Sequence, residues 1–146
     1  MPSPSMDREV EKRLRDLGVR YTAGRRAVVA ALAGGDGPRS AAELHEQIGP
    51  AVPLSSLYRS LAVLESAGVV VPHFGAKGLT RYELGEWLTG HHHHLICVGC
   101  GVVEDIAIPQ AQETRVRELV DEISSFASFT PLDHVIEIEG RCARCA

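Results

Sequence analysis

The 146-residue chain has no apolar run near the ~18 residues that a membrane-spanning helix needs, so no span is expected. Its first residues, MPSPSMDREVEKRLRDLG, lack the apolar core of a secretory signal, which gives a cytoplasmic location as the expectation. No nucleophile–His–Asp pattern is present, and internal repeats and long low-complexity runs are missing too. A surplus of positive charge is also absent: the formal net charge is −4. The deficit is uneven. Residues 1–60 carry nine Lys/Arg against seven Asp/Glu, whereas residues 61–146 carry six against twelve. A weakly basic front on an acidic chain is compatible with nucleic-acid binding in the first half.

Cysteine is scarce. The four cysteines form two Cys-x-x-Cys pairs, Cys97/Cys100 and Cys142/Cys145. In a reducing compartment such pairs point to metal rather than to disulfides, and two of them converging give a closed four-thiolate site suited to structural zinc. A redox-active dithiol is the rival. Gly99 and Gly101 permit the tight turn that aims two sulfurs at one ion.

Apolar periodicity and capping residues predict four helices in the first half. The first covers residues 7–17 and closes at Gly18. Thr22 caps the second (AGRRAVVAALA), and Ser40 the third (AAELHEQI). The fourth is SSLYRSLAVLESAG, with Leu57, Leu61 and Leu64 on one side. The run VVVPHFGAKGLTRYEL then reads as a hairpin around Gly75-Ala76-Lys77-Gly78. Helices followed by a hairpin make the winged form of helix-turn-helix. Its recognition helix would offer Ser55 and Ser56 for capping or phosphate contact, with Tyr58 and Arg59 exposed to base edges. Arg20, Arg25 and Arg26 would anchor backbone phosphates. A plain helical bundle with polar faces is the rival here.

GEWLTG, residues 85–90, reads as a connector between a domain at 1–84 and a second at 91–146. In the second, HHHHLIC, VVEDIAI and HVIEIEG read as strands, and QAQETRVRELVDEISSFA as one amphipathic helix. This half has too few residues to bury for independent stability and is expected to gain core from a second subunit.

The four histidines 91–94 adjoin the first knuckle. On an extended backbone, alternate side chains take opposite faces, so His91 and His93 point one way and His92 and His94 the other. Consecutive imidazoles therefore cannot all serve one ion, and the spacing predicts two further sites. His73 and Glu83 are candidates for the face toward the first domain, and His134 and Glu113 for the other. The rivals are a solvated loop for the run, a wing-surface residue for His73, and a helix-dipole acid for Glu113.

Taken together, LGVRYTAGRRAVVAAL, SAAELHEQI, PLSSLYRSLAVLESAGVV, RYEL, HHHHLICVGCG and DHVIEIEGRCARC resemble the Fur (ferric uptake regulator) family of metal-dependent transcriptional repressors, over residues 10–145. The resemblance implies an α+β protein with an N-terminal winged-helix domain and a C-terminal αβ dimerisation domain. It implies a homodimer on a palindromic double-stranded operator, repressing metal-homeostasis genes when regulatory metal is bound, with no small-molecule substrate and no enzymatic activity. It assigns DNA contacts to Arg20, Tyr58 and Arg59, and structural zinc to Cys97, Cys100, Cys142 and Cys145. The sensing site falls to Glu83, His92 and His94, with His73, and a second site to His91, His93, His134 and Glu113.

Four features depart from the family pattern. The turn before the second helix reads Thr-Ala-Gly-Arg. GPRS stands where iron sensors often carry a histidine. The connector is longer than usual, and the extended long helix leaves Glu113 in competition with Gln112, Arg117 and Glu118. His93 is the residue usual in zinc sensors and Glu83 the one usual in iron sensors, so both Fe2+ and Zn2+ stand as regulatory metals. Nickel, manganese or peroxide sensing follows behind, and a zinc-dependent enzyme or a metal-storage module further still.

Overall fold

The computed structural model describes residues 2–74 and 78–146. Helix α1 (Pro4–Asp16) begins earlier than apolar spacing suggests, because Ser3 accepts a hydrogen bond from the Met6 amide and proline occupies the first turn. Helix α2 (Ala23–Ala33) is capped by Thr22 through the Arg25 amide. Helix α3 (Ala41–Ile48) starts in a reciprocal capping box, in which Ser40 accepts from the Glu43 amide and the Glu43 carboxylate accepts from the Ser40 amide. Helix α4 (Leu54–Ser66) follows Pro53 and has no side-chain cap, so the capping role expected of Ser55 and Ser56 is not taken. Ser56 instead accepts a hydrogen bond from Arg59 at 3.2 Å.

Leu57, Leu61 and Leu64 of α4 are fully buried against Val10, Leu14, Val28, Val29 and Leu44. Burial of each such side chain stabilises by about 1.5–3 kcal/mol. Strands β2 (Val70–Phe74) and β3 (Thr80–Leu84) form the wing, and the short β1 (Arg39–Ser40) pairs with the other edge of β3. Of the expected hairpin turn, Gly78 has φ 68°, a conformation that favours glycine; Gly75, Ala76 and Lys77 lie outside the described residues.

Residues 85–90 hold one helical turn, α5 (Glu86–Thr89), fastened to the first domain. The Trp87 indole donates to the Gly68 carbonyl at 2.8 Å, and the Arg13 guanidinium lies 4.2 Å over the Trp87 ring. Beyond it, β4 (His93–Cys97) pairs antiparallel with β5 (Val103–Ile106) and parallel with β6 (Glu137–Gly140). The parallel pair needs a crossover, which α6 (Gln110–Phe126) supplies.

All three strands of the second domain are shorter than their apolar patterns, β5 by Val102, Ala107 and Ile108. His91 and His92 precede β4, because its partner β5 ends opposite His93 as the chain turns toward Pro109. His134 lies three residues ahead of β6. The apolar side of α6 points away from its own sheet: Leu119, Ile123 and Phe126 are exposed, as is Ile138 on β6. The fold is α+β, with a winged-helix domain followed by an αβ domain.

Candidate metal centres

The first cluster is the knuckle pair. The hairpin turn after β4 returns Gly101 N–H to the Cys97 carbonyl at 2.8 Å, and the chain end turns back so that Cys145 N–H meets the Cys142 carbonyl at 2.9 Å. The four sulfurs lie within 4.8 Å of one another and form no disulfide. Gly99 lies tight against the second knuckle, since a Cβ there would sit 3.1 Å from both Cβ and Sγ of Cys145. Amides of Cys142 and Cys100 point at the Cys97 sulfur and hold its thiol down at about 5. Hydrogen bonds to Cys142, Cys97 and Cys100 push the Cys145 thiol up to about 12. Four sulfurs this close, with backbone amides aimed at Cys97, form a donor set that a cation at the centre would hold as thiolates.

His91 and His93 fall in one ligand group and His92 and His94 in another, although only His93 and His94 lie within β4. On one face, His91, His93 and His134 each turn Nε2 onto Glu113 of α6, at 3.0, 2.8 and 2.9 Å. His93 and Glu113 are buried, and the His93 hydrogen bond is the main cause of a lowered Glu113 pKa. Glu113 is therefore the acid brought to this face, ahead of Gln112, Arg117 and Glu118. Glu86 of α5 backs the cluster by holding His91 Nδ1 at 3.1 Å.

On the opposite face, His92 and His94 place Nε2 at 2.9 and 3.1 Å from Glu83 Oε2. Asp105 of β5 lies 3.3 Å from His94 and 3.6 Å from His92. These four residues form the tight ligand group. His73, a diagonal neighbour of Glu83 on the wing, hydrogen-bonds the other carboxylate oxygen, and its ring meets His94 edge-on at 4.4 Å. The structure thus brings His73 to the cluster but seats Asp105, which sequence reasoning missed, in the compact set. A signal existed: counting outward from the Cys97–Gly101 turn makes Asp105 the cross-strand partner of His94.

Electrostatics mark this face. Burial raises the Glu83 pKa, but hydrogen bonds from His73, His94 and His92 outweigh it and hold the carboxyl far below its usual range. Burial lowers His94, yet Asp105 and Glu83 lift it to about 9. The Nδ1–H of His92 donates to the Gly90 carbonyl at 2.9 Å, so in neutral His92 the Nε2 lone pair meets the Glu83 carboxylate. Two acceptors face each other, and only a proton or a metal cation between them satisfies both.

The residues offered for DNA are placed differently from one another. Tyr58 and Arg59 are exposed on α4, and Arg20 is exposed before α2. Arg25 binds the Arg20 carbonyl, which draws the two together. Arg26 is committed elsewhere, to Asp7 at 2.8 Å, Glu11 at 3.2 Å and the Tyr21 ring.

A winged helix is followed by an αβ domain, with one ligand cluster of four cysteines, one centred on Glu113, and one centred on Glu83 and shared between the two domains, the architecture of a metal-responsive DNA-binding protein. The family model of the ferric uptake regulator family matches residues 16–139, and the chain belongs to that family, whose proteins are transcription regulators. It is 31% identical over 141 residues to the ferric uptake regulation protein of Legionella pneumophila, covering 94% of this chain and 98% of the relative. It is 29% identical to the peroxide-responsive repressor of Staphylococcus epidermidis, covering 97% and 93%. Among solved structures, the Helicobacter pylori ferric uptake regulator, described as having three functional metal binding sites, superposes with TM-score 0.75 at 25% identity, covering 97% and 91%. That of Vibrio cholerae gives 0.72 at 27%, covering 90% and 98%.

Proposed function

We propose that this protein is a repressor that binds a palindromic operator as a homodimer when metal occupies the cluster of Glu83, His92, His94 and Asp105. The observation that carries the reading is that this cluster spans the two domains: Glu83 ends the wing, while the other three lie on the second domain. Bound there, a divalent cation would satisfy the facing lone pairs and favour the docked arrangement by its greater affinity for it. Glu83, His92, His94 and Asp105 would supply its donors, with His73 fixing the second Glu83 oxygen. The knuckle cysteines would hold zinc as a closed structural site, and His91, His93, Glu113 and His134 a further ion. The three sites of the Helicobacter pylori relative support this assignment.

Two imidazoles and two carboxylates without a thiolate make a mixed nitrogen and oxygen donor set that suits iron(II) and zinc alike, so the regulatory metal is one of these two. Arg20, Arg25, Ser55, Ser56, Tyr58 and Arg59 would face the duplex. The test is operator binding with anaerobic Fe2+, with Zn2+ and with chelator; equal affinity in all three sinks the reading. A peroxide-sensing role, the one named for the Staphylococcus epidermidis relative, is separated by exposing the iron-loaded complex to peroxide and looking for release of DNA.

The exposed stripe of Leu119, Ile123 and Phe126 is assigned to a second copy of this chain. Ile123→Glu is expected to weaken the dimer by about 3 kcal/mol or more, because a twofold axis places two copies of the change in one interface. Light scattering should then find monomer, and operator affinity should fall because two recognition helices no longer sit ~34 Å apart. A dimer of unchanged affinity would refute the assignment.

Protons compete for the same donors. The His94 pKa is raised from 6.5 to about 9, so its proton stabilises the folded form fully below 6.5, and that contribution is lost as pH rises through 9. Affinity for Zn2+ should therefore climb across this window, by up to about tenfold per pH unit for each proton displaced. Titrations at pH 6.5, 7.5 and 8.5 check this, and a flat response contradicts it.

A further inference from the structure

The loop between α2 and β1 carries no ligand, yet it docks on the second domain beside the interdomain cluster. Strand β5 is an edge strand, in the order β5-β4-β6, and an edge leaves backbone groups without strand partners. The Asp105 amide donates across this edge to the Asp36 carbonyl at 3.4 Å. Next to it, a Cβ on Gly37 would stand 2.5 Å from the Val103 carbonyl oxygen, 3.3 Å from Glu104 Cα and 3.4 Å from the Asp105 amide. All three atoms belong to strand backbone and cannot swing aside.

We propose that docking of the Asp36–Gly37 segment on β5 is a second clasp between the domains, and that Gly37 is a positioning residue for the Glu83, His92, His94 and Asp105 cluster. The inference rests on the interdomain reading of that cluster given above.

The mechanical link is short. Gly37 is two residues from β1, and β1 pairs with β3 at Arg39↔Tyr82 and Ser40↔Arg81, so the loop is tied to the strand that carries Glu83. On the other side, β5 carries Asp105 and pairs it with His94. Moving the loop off β5 therefore moves Glu83 away from Asp105. An ordinary Cβ contact needs at least 3.4 Å, so alanine at 37 forces the two backbones apart by about 0.9 Å. Metal sites accept deviations of about 0.2 Å in ligand distance. Gly37 does not adopt a positive φ, so alanine brings no backbone strain, and the consequence falls on the domain contact.

The test uses the full chain with the four-cysteine site loaded, and Zn2+ as the probe. The chain's single tryptophan, Trp87, lines the same cavity as His73, Glu83, His92 and His94, so its fluorescence reports this cluster. Gly37→Ala is expected to raise the Zn2+ midpoint by about tenfold or more, equivalent to about 1.4 kcal/mol. Zinc content at the cysteines, thermal unfolding and DNA affinity in chelator should stay as in the parent. A midpoint within twofold of the parent overturns the clasp if His94→Ala in the same assay abolishes the response. If His94→Ala leaves the response intact, the cluster itself is misassigned and the clasp falls with it. Amide exchange on the unaltered protein gives a second reading: Zn2+ should slow exchange in residues 36–37 and 103–105. No change there, with the Trp87 response present, also overturns the clasp.

Discussion

Replacing Cys97 with serine is expected to remove one zinc per chain and to unfold the second domain while the first survives. Buried apolar residues in the second domain are confined to Ile96, Cys97 and Val103, whereas the winged helix has its own core from Val10 to Leu84. The knuckles take the place of the missing core. The Val98 amide donates to the Gly140 carbonyl at 2.8 Å, and the Cys142 amide points at Cys97 Sγ at 3.4 Å, so the cluster fastens the end of β6 to β4. Zinc bound by four thiolates contributes on the order of 10–16 kcal/mol in small domains, more than the whole stability of most domains. Serine cannot replace the low-pKa Cys97 thiolate. Metal analysis should show the lost zinc. Thermal scans should show only the winged-helix transition, and light scattering should show the dimer gone. Parent-like zinc content and unfolding would contradict the assignment.

The second large effect concerns the switch. With His92 and His94 both changed to alanine, operator affinity at saturating metal is expected to fall to the value seen in chelator. Allosteric coupling between two sites is typically 5–150-fold, and the upper part of that range applies when two of four donors are removed. The variant also leaves Glu83 and Asp105 without the imidazoles that now separate them, which opposes domain docking even without metal. Anisotropy of a labelled operator in metal and in chelator measures this, with zinc at the cysteines as the check on folding. A variant whose operator binding still strengthens with metal would place the switch elsewhere.

Several of these features were legible in the sequence because they are local. Thr22 and Ser40 cap the helices they precede, since a side-chain oxygen reaches an amide three residues on whatever the rest of the chain does. Alternation along an extended backbone separated His91 and His93 from His92 and His94 with no knowledge of the fold. The cysteine pairs announced a four-thiol cluster by spacing. Glu113 was recoverable as the acid at the start of the long helix.

Other features belong to pairs of elements far apart in sequence. Asp105 joins the cluster because β5 folds back on β4 in one register, and His73 sits behind Glu83 because of the twist and pairing of the wing. The outward apolar side of α6 depends on how the crossover lies against its sheet. Arg26 looks like a phosphate anchor until α1 brings Asp7 and Glu11 to it.

The sequence by itself determined the five longer helices, the two strands of the wing, the ligand types and the separation of the histidines, because these follow from backbone periodicity and reach over a few residues, whereas the one-turn α5 and the short β1 were not legible. Only the tertiary structure decided which carboxylates meet which imidazoles and where the two domains touch. Those depend on strand register and domain docking, in which a displacement of under an ångström separates a ligand from a bystander.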